Sequence, residues 1–283
     1  APRELGALFG GSLSKELLLD ISDRQLLIAC GAGAGLASVY QVPFASALFV
    51  LETLGVSWKL KNIIIILATT YVSAYCAKPI VGGHALYIVD KVTIDSSCFI
   101  QAIILALFVT PFAIIFGYFA KKASSHRITG KEILWTLPFA FLILGGLSAY
   151  LPIFMGNGQV LAQWIFSGNS SAYLPVILII KCLLVCLLLR RGAYGGTLTP
   201  SFALGVGTGY LVTVLLGNFG FSHSLSLGML LGATVFLGTT LDAPLTGIAL
   251  VVGFTGTGGV IVFPLILASI LSRIINNKWK ERV

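Results

Sequence analysis

The feature that most constrains the fold is a set of five long stretches that contain no Asp, Glu, Lys or Arg. A helix that spans a bilayer needs about 20 consecutive apolar residues, and the longest stretches have room for two. They lack the alternation, over about 10 residues, that is typical of membrane β-strands. Because unpaired backbone groups are costly in lipid, the sequence predicts an all-α, polytopic membrane protein. The stretches are residues 25–51, 96–120, 133–180, 192–241 and 243–272.

Composition and charge exclude several other classes of protein. Only 10% of the 283 residues are charged, against about 25% in soluble domains, so neither a soluble globular domain nor a disordered chain fits. The net charge of +8 comes largely from short basic clusters at the ends of apolar stretches, as is usual for membrane flanks. We therefore predict a lipid bilayer as partner and no nucleic acid. His and Cys show no metal-ligand spacing, and we predict no metal site, no cofactor and no catalytic residue.

Two segments of the chain have a similar order of parts. Residues 31–52 and 232–253 both run from a small-residue helix through a short break into an apolar helix. The breaks are predicted at Gln41-Val42-Pro43 and Asp242-Ala243-Pro244. Chance agreement is an alternative, since only five positions are identical. Interrupted hydrophobic segments in repeats are typical of transporters whose site lies where broken helices meet, and we take 1–54 and 197–255 as repeat-related segments.

Broken helices inside a membrane suit an anion. The first turn of a helix presents unpaired N–H groups and the positive end of the helix dipole. These donors bind an anion without a fixed counter-charge that would hold it too tightly to leave. A proline in the first turn removes no useful donor.

Four motifs resemble the CLC family of chloride channels and proton/chloride exchangers. The first runs from Gly31-Ala32-Gly33-Ala34-Gly35 to Leu48-Phe49-Val50-Leu51-Glu52, and the others are Gly156-Asn157-Gly158, Gly192 to Pro200, and Asp242 to Gly247. The resemblance implies an inverted-repeat fold with broken helices, a homodimer, and one anion pathway per subunit. It covers roughly the last two-thirds of such a protein, so we expect the N-terminal part to be missing.

The family's gating motif, Gly-Lys/Arg-Glu-Gly-Pro, matches the start of the chain only in part. The spacing to Gly31 puts Ala1 at the proline of that motif, which would place the gating Glu upstream of the chain. Glu4 is a second candidate for the gate. The alternative for Glu4 is an acid in the first turn of a helix, where the dipole favours it.

The resemblance places the anion site at Gly196, Thr197, Leu198, Thr199 and Pro200, facing the start of the helix at Ala1 and Pro2. We expect the amides of Leu198 and Thr199 to point into a cavity open to residues 1–3. Leu198 stands where the family usually has an aromatic residue. This change keeps the backbone donors but alters the width of the path.

Four further polar residues have alternative interpretations. Glu52 and Thr53 stand where family exchangers carry two acids, so they are candidates for a gating or proton path, or Glu52 simply ends a helix near the headgroups. Asp242 is an intramembrane acid or, as we expect, a helix N-cap. Lys181 either raises the potential for anions, as the resemblance implies, or is a snorkelling or paired lysine.

We predict a CLC-type permease for chloride or a similar small anion, with residues 1–283 as one partial transmembrane domain in the cell membrane. The alternative is a truncated, non-conducting structural or assembly module. An enzyme is not expected, since no set of catalytic residues is visible. The sequence leaves open whether the protein is a channel or a proton-coupled exchanger.

Overall fold

A computed structural model describes residues 2–92, 95, 97–169, 172–218 and 224–281. Within these residues the chain forms twelve α-helices and no β-strand. A π-helical turn, Phe49–Thr53, extends the third helix, and short 3₁₀ turns precede α6, α7 and α12. The helices are α1 (Pro2–Glu16), α2 (Ile21–Tyr40), α3 (Pro43–Leu48), α4 (Leu60–Val81), α5 (Ser97–Ser125), α6 (Ile133–Tyr150), α7 (Gln159–Phe166), α8 (Leu174–Arg190), α9 (Leu198–Asn218), α10 (Leu225–Leu241), α11 (Pro244–Thr255) and α12 (Val262–Lys280).

The apolar helical segments are of two lengths. By length and composition, five helical segments in the described residues are able to cross a membrane. Three apolar segments are shorter, Pro43–Thr53, Leu225–Leu241 and Pro244–Thr255; at 1.5 Å per residue they fall short of a hydrocarbon core about 30 Å thick. The long segments are Leu60–Val81, Ser97–Ser125, Gly130–Tyr150, Leu198–Asn218 and Gly259–Lys280. The prediction of an all-α fold with broken helices is confirmed.

The chain divides into two compact units, of which the first comprises residues 1–86 and 248–257. Here α1 crosses α2 at glycines: a Cβ added at Gly35 would collide with the carbonyl oxygen of Pro2, and one at Gly6 with that of Gly31. Such close approach is possible only without side chains. In the same unit, Cys30, Val50 and Ile66 form part of a buried apolar cluster.

The second unit comprises residues 87–247 and 258–283. Its α9 and α10 also cross at glycines, since a Cβ at Gly209 would collide with the carbonyl oxygen of Gly228. The Gln101 amide of α5 donates to the Thr213 hydroxyl at 3.3 Å and to the Ser224 carbonyl at 3.0 Å, which ties α5 to α9 and to the start of α10. These bonds fix the three helices around a buried centre.

Candidate functional site

The start of α9 is buried and follows an irregular segment. Residues 193–196 are not helical, and the first bond of the helix runs from the Ser201 amide to the Thr197 carbonyl at 2.8 Å. Leu198 is 6% exposed, and Thr199 and Pro200 are also buried. The first turn of α9, at the positive end of its dipole, is therefore buried, whereas Gly196 before it is exposed and Thr197 is half-buried.

Two other segments of the second unit pack against this first turn. Gly158 has φ +104°, and a Cβ there would lie 3.0 Å from the Ala203 Cβ and 3.6 Å from the Thr199 carbonyl oxygen. On another side, the Thr240 hydroxyl of α10 donates to the Ser201 hydroxyl at 3.1 Å. The Gly156-Asn157-Gly158 turn and the end of α10 thus hold the beginning of α9 in place.

Lys181 is a buried cation next to the Gly156-Asn157-Gly158 turn. Its side chain is on α8 and the residue is 2% exposed, so it does not snorkel. The ammonium donates to the carbonyls of Phe154 and Gly156, both at 2.9 Å, and within the described residues it forms no ion pair. The two carbonyls accept from two of the three ammonium N–H groups and, being neutral, do not cancel its charge. A charged Lys181 therefore adds to the positive potential of the α9 dipole.

In the first unit, Gln41 and Pro43 form the break between α2 and α3. Gln41 ends α2 in the left-handed conformation, with φ 54° and ψ 38°, and Pro43 begins α3. The Gln41 side-chain amide donates to the Ser38 carbonyl at 2.8 Å and to the Ala74 carbonyl of α4 at 3.2 Å. The break is thus attached to α4.

In the second unit, Asp242 ends α10 rather than beginning α11. It is left-handed, with φ 54° and ψ 34°, and the Ala243 carbonyl, one residue later, accepts the first bond of the Pro244 helix, from Gly247 at 2.9 Å. The expectation that Asp242 is an N-cap is therefore wrong. Its carboxylate instead pairs with the Lys280 ammonium at 2.8 Å, and its side chain is 64% exposed.

Glu52 and Thr53 lie in the π-helical turn that ends the third helix. In this wider turn the Leu54 amide reaches the Phe49 carbonyl at 3.2 Å. Both residues are half-buried, and the Thr53 hydroxyl oxygen is inside the protein without a hydrogen-bond partner. π-Turns are rare and occur frequently at functional sites, but no sequence signal pointed to this one.

The start of α1 carries the other candidates for the gate and pathway. Ala1 is outside the described residues, and Pro2 begins α1. Glu4 lies in the first turn and pairs with Arg3 at 3.0 Å, and the Arg3 guanidinium is 5.6 Å from the centre of the Phe49 ring. The convergence of Ala1 and Pro2 with residues 196–200 stays a prediction.

The sequence did not connect Lys181 with the Gly156-Asn157-Gly158 turn, although both features were visible. They are separated by more than twenty residues, and a backbone carbonyl leaves no trace in a sequence. The available signal was the pairing of a lone Lys in an apolar helix with a glycine turn nearby. A buried cation requires several acceptors, and an irregular turn supplies them.

Comparison with known proteins supports the same family over most of the chain. Residues 1–277 match the profile of the family described as Voltage gated chloride channel. The voltage-gated ClC-type chloride channel ClcB of Citrobacter koseri is 28% identical over 261 residues, and that of Escherichia coli O17:K52:H18 is 27% identical over 271. Each match covers 89% of this chain and 62% of the relative, so the chain spans somewhat less than two-thirds of these proteins.

Solved structures agree in fold. A slow cyanobacterial Cl⁻/H⁺ antiporter has a TM-score of 0.80 at 19% identity, with 98% of this chain and 67% of that chain covered. A CLC-type fluoride/proton antiporter has a TM-score of 0.79 at 20% identity, with 98% and 69% covered. These identities show the fold alone, which is the inverted-repeat CLC type. Since the family profile matches nearly the entire chain, this multi-pass membrane protein belongs to the CLC, or voltage-gated chloride channel, family.

Proposed function

We propose that the chain forms the pore-bearing part of a CLC-type permease that passes chloride or a similar small anion across the cell membrane. The observation that carries this proposal is the buried start of α9, at Leu198, beside the buried cation Lys181. An apolar surrounding lowers the dielectric constant, so the dipole and the ammonium act on an anion with little screening. Family membership supplies the substrate class.

The anion in this proposal is held at residues 196–200 by the helix end and by neutral groups. Pro200 has no amide, and its place in the first turn removes no donor from the helix ladder. The Lys181 ammonium is already bonded to the Phe154 and Gly156 carbonyls, so it acts on the anion through its field rather than by direct contact. Moderate binding of this kind allows an anion to enter and to leave.

We also propose a homodimer. On α4, the side chains of Ile64, Val72 and Tyr75 are 57%, 61% and 79% exposed. Exposed side chains of this kind fit contact with lipid or with another protein chain. Family resemblance favours a second copy of the chain. Single-molecule photobleaching of the labelled protein in liposomes should show two bleaching steps in most spots, and a predominance of single steps would exclude the dimer.

The function is tested by chloride efflux from liposomes that contain the purified protein. Chloride efflux, measured with a chloride electrode, should start when valinomycin clamps the membrane potential. It should exceed the efflux from protein-free liposomes. Lys181→Met should slow it, whereas Lys61→Met, a change at an exposed side chain on α4, should not. Absence of efflux from well-folded wild-type protein would favour the alternative, a non-conducting assembly module.

A further inference from the structure

Three helix ends of the second unit meet at a strongly basic surface. The Ile128 amide, in the linker between α5 and α6, donates to the Arg190 carbonyl at the end of α8 at 2.9 Å. A Cβ added at Gly192, just after α8, would lie 2.5 Å from the Ile133 Cδ1 at the start of α6. The linker is therefore packed directly on the end of α8. We call the six cations gathered here the basic face: Lys121, Lys122, Arg127, Lys131, Arg190 and Arg191.

The charge of the basic face is not compensated by the protein. In the part of the chain that the structure describes, none of the six cations forms an ion pair. Glu132 is the only acid in the sequence between residues 96 and 241. Four of the six side chains are exposed, and Arg127 and Arg191 are half-buried. A surface with six cations and no ion pair among the described residues fits an anionic partner.

Arg127 is held in place yet keeps hydrogen-bonding capacity. Its guanidinium carbon lies 4.2 Å from the centre of the Tyr194 ring, and one terminal nitrogen donates to the Ser124 hydroxyl at 3.2 Å. Its Nε is buried without a hydrogen-bond partner, so binding to a headgroup would fall to the terminal nitrogens. A planar guanidinium fixed on an aromatic ring is suited to bidentate recognition of a phosphate.

Aromatic side chains indicate the depth of the basic face in the membrane. Trp135, in the first turn of α6, is 82% exposed, and Tyr118, near the end of α5, is 59% exposed. The Lys122 ammonium lies 5.8 Å from the centre of the Tyr118 ring. Trp and Tyr concentrate at the level of the lipid headgroups. These rings favour a position at the membrane boundary for the basic face, at the ends of two segments that are long and apolar enough to cross a membrane.

We propose that the basic face binds the phosphate groups of anionic phospholipids. Clusters of four to eight Lys and Arg at the end of membrane helices, and basic pockets between such helices, recognise anionic headgroups. The exposed tryptophan and tyrosines nearby favour a lipid over a soluble anion, because such rings concentrate at the level of the lipid headgroups.

Quenching of Trp135 by brominated lipid tests the proposal. The protein, with Trp58, Trp164 and Trp279 replaced by Phe, is reconstituted in phosphatidylcholine that contains a fixed fraction of brominated phosphatidylglycerol or, in parallel, of brominated phosphatidylcholine. Brominated phosphatidylglycerol should quench the Trp135 fluorescence more strongly than brominated phosphatidylcholine does. The triple variant Arg127→Gln, Lys131→Gln, Arg190→Gln should lower this preference, about fivefold for each charge removed.

A variant with the same number of charges removed elsewhere provides the control. Lys15→Gln, Lys59→Gln, Lys61→Gln, at exposed side chains of the first unit, should keep the preference of the wild type. Equal quenching by the two brominated lipids, or an equal loss in both triple variants, would overturn the proposal. If the first variant does not fold, Lys131→Gln alone, at an exposed side chain, gives the same test with a single charge.

Inorganic phosphate distinguishes a lipid headgroup from a soluble anion. Added to the vesicles at the bulk concentration of the accessible phosphatidylglycerol, it should leave the lipid preference unchanged, since it lacks the membrane anchor. Loss of the preference under these conditions would mean that the basic face binds small anions, and the lipid proposal would be abandoned.

Discussion

Gln41 and Asp242 have nearly the same left-handed backbone, with φ 54° and ψ 38° at Gln41 and φ 54° and ψ 34° at Asp242. Each ends a helix two residues before a proline that begins the next, Pro43 or Pro244. Their side chains are held differently, Gln41 by carbonyls and Asp242 by an ion pair with Lys280. The two breaks thus share a backbone conformation rather than side-chain chemistry.

The left-handed backbone at Asp242 predicts opposite tolerance for two substitutions. Asp242→Gly removes the ion pair with Lys280 but suits the conformation, whereas Asp242→Val removes the same ion pair and puts a β-branched residue where it is strained. The valine variant should be less stable than the glycine variant by about 1–2 kcal/mol. Thermal unfolding of both variants in the same detergent measures the difference, and equal melting temperatures would contradict the prediction.

The breaks themselves could be predicted from the sequence, because a proline after a short polar segment interrupts an apolar stretch. The left-handed conformation could not, since it is uncommon for any residue other than Gly and nothing in the sequence marks Gln41 or Asp242 for it. The partner of Asp242 is Lys280, the last residue of α12, almost forty residues further along the chain. Such a pair depends on how the helices pack, which no local pattern specifies.

The helix crossings were also partly predictable. Spacings such as Gly31/Gly35, Gly205/Gly209 and Gly228/Gly232 indicate close helix packing, but they do not identify the partner helix. The structure pairs the glycines of α9 with those of α10, and Gly31 and Gly35 of α2 with α1. The π-helical turn at Phe49–Thr53 had no sequence signal, because its residues are ordinary for an apolar α-helix.

Two glycines of α9 should respond oppositely to alanine. A Cβ at Gly209 would collide with the Gly228 carbonyl oxygen and would lie 2.9 Å from the Gly232 Cα, whereas one at Gly217 meets nothing within 4 Å. Gly209→Ala should therefore lower the melting temperature, since α9 and α10 must separate. Gly217→Ala should be neutral or slightly stabilising, because alanine favours a helix by up to about 1 kcal/mol.

Both alanine variants are compared by thermal unfolding in one detergent and by size-exclusion chromatography. Both variants add the same methyl group to the same helix, so they differ in what that group meets. If Gly217→Ala destabilised the protein as much as Gly209→Ala, the close crossing would not be the cause.

Lys181→Met should affect stability and anion binding together. Methionine has a similar length but no donor, so the carbonyls of Phe154 and Gly156 lose the ammonium that binds them. A buried acceptor left unsatisfied costs about 1–3 kcal/mol, and the melting temperature should fall. Chloride affinity, measured by calorimetry at a temperature where the variant is folded, should also fall because the positive charge is gone. A lower melting temperature with unchanged affinity would leave Lys181 as a purely structural residue.

We expect weak or absent proton coupling in anion transport. Thr53 has no group that titrates near neutral pH, and the adjacent Glu52 is the only acid in the π-helical turn. A chloride gradient applied to liposomes should therefore drive little proton movement against its own gradient, as followed with a pH electrode and an uncoupler control. Strong uphill proton movement that persisted in Glu52→Gln would contradict this assignment.

Leu198→Trp should slow anion flux while leaving the fold intact. Leu198 is the first residue of α9 and is 6% exposed, so a larger side chain there narrows the space at the helix end without changing a backbone donor. A rise of about 1.4 kcal/mol in the barrier would slow efflux roughly tenfold. Overpacking a buried position costs about 1–3 kcal/mol of stability, so flux is normalised to protein that elutes as a single folded species.

The matched control is Leu215→Trp, the same substitution on the same helix at a side chain that is 57% exposed. It should leave flux unchanged, because a tryptophan on the outer surface does not reach the start of α9. Leu198→Phe, which introduces an aromatic residue of the type usual in the family, should give an intermediate flux, since its ring is smaller than that of tryptophan. Equal flux in wild type and Leu198→Trp, with both proteins folded, would place the anion path away from residues 196–200 and remove the proposed site.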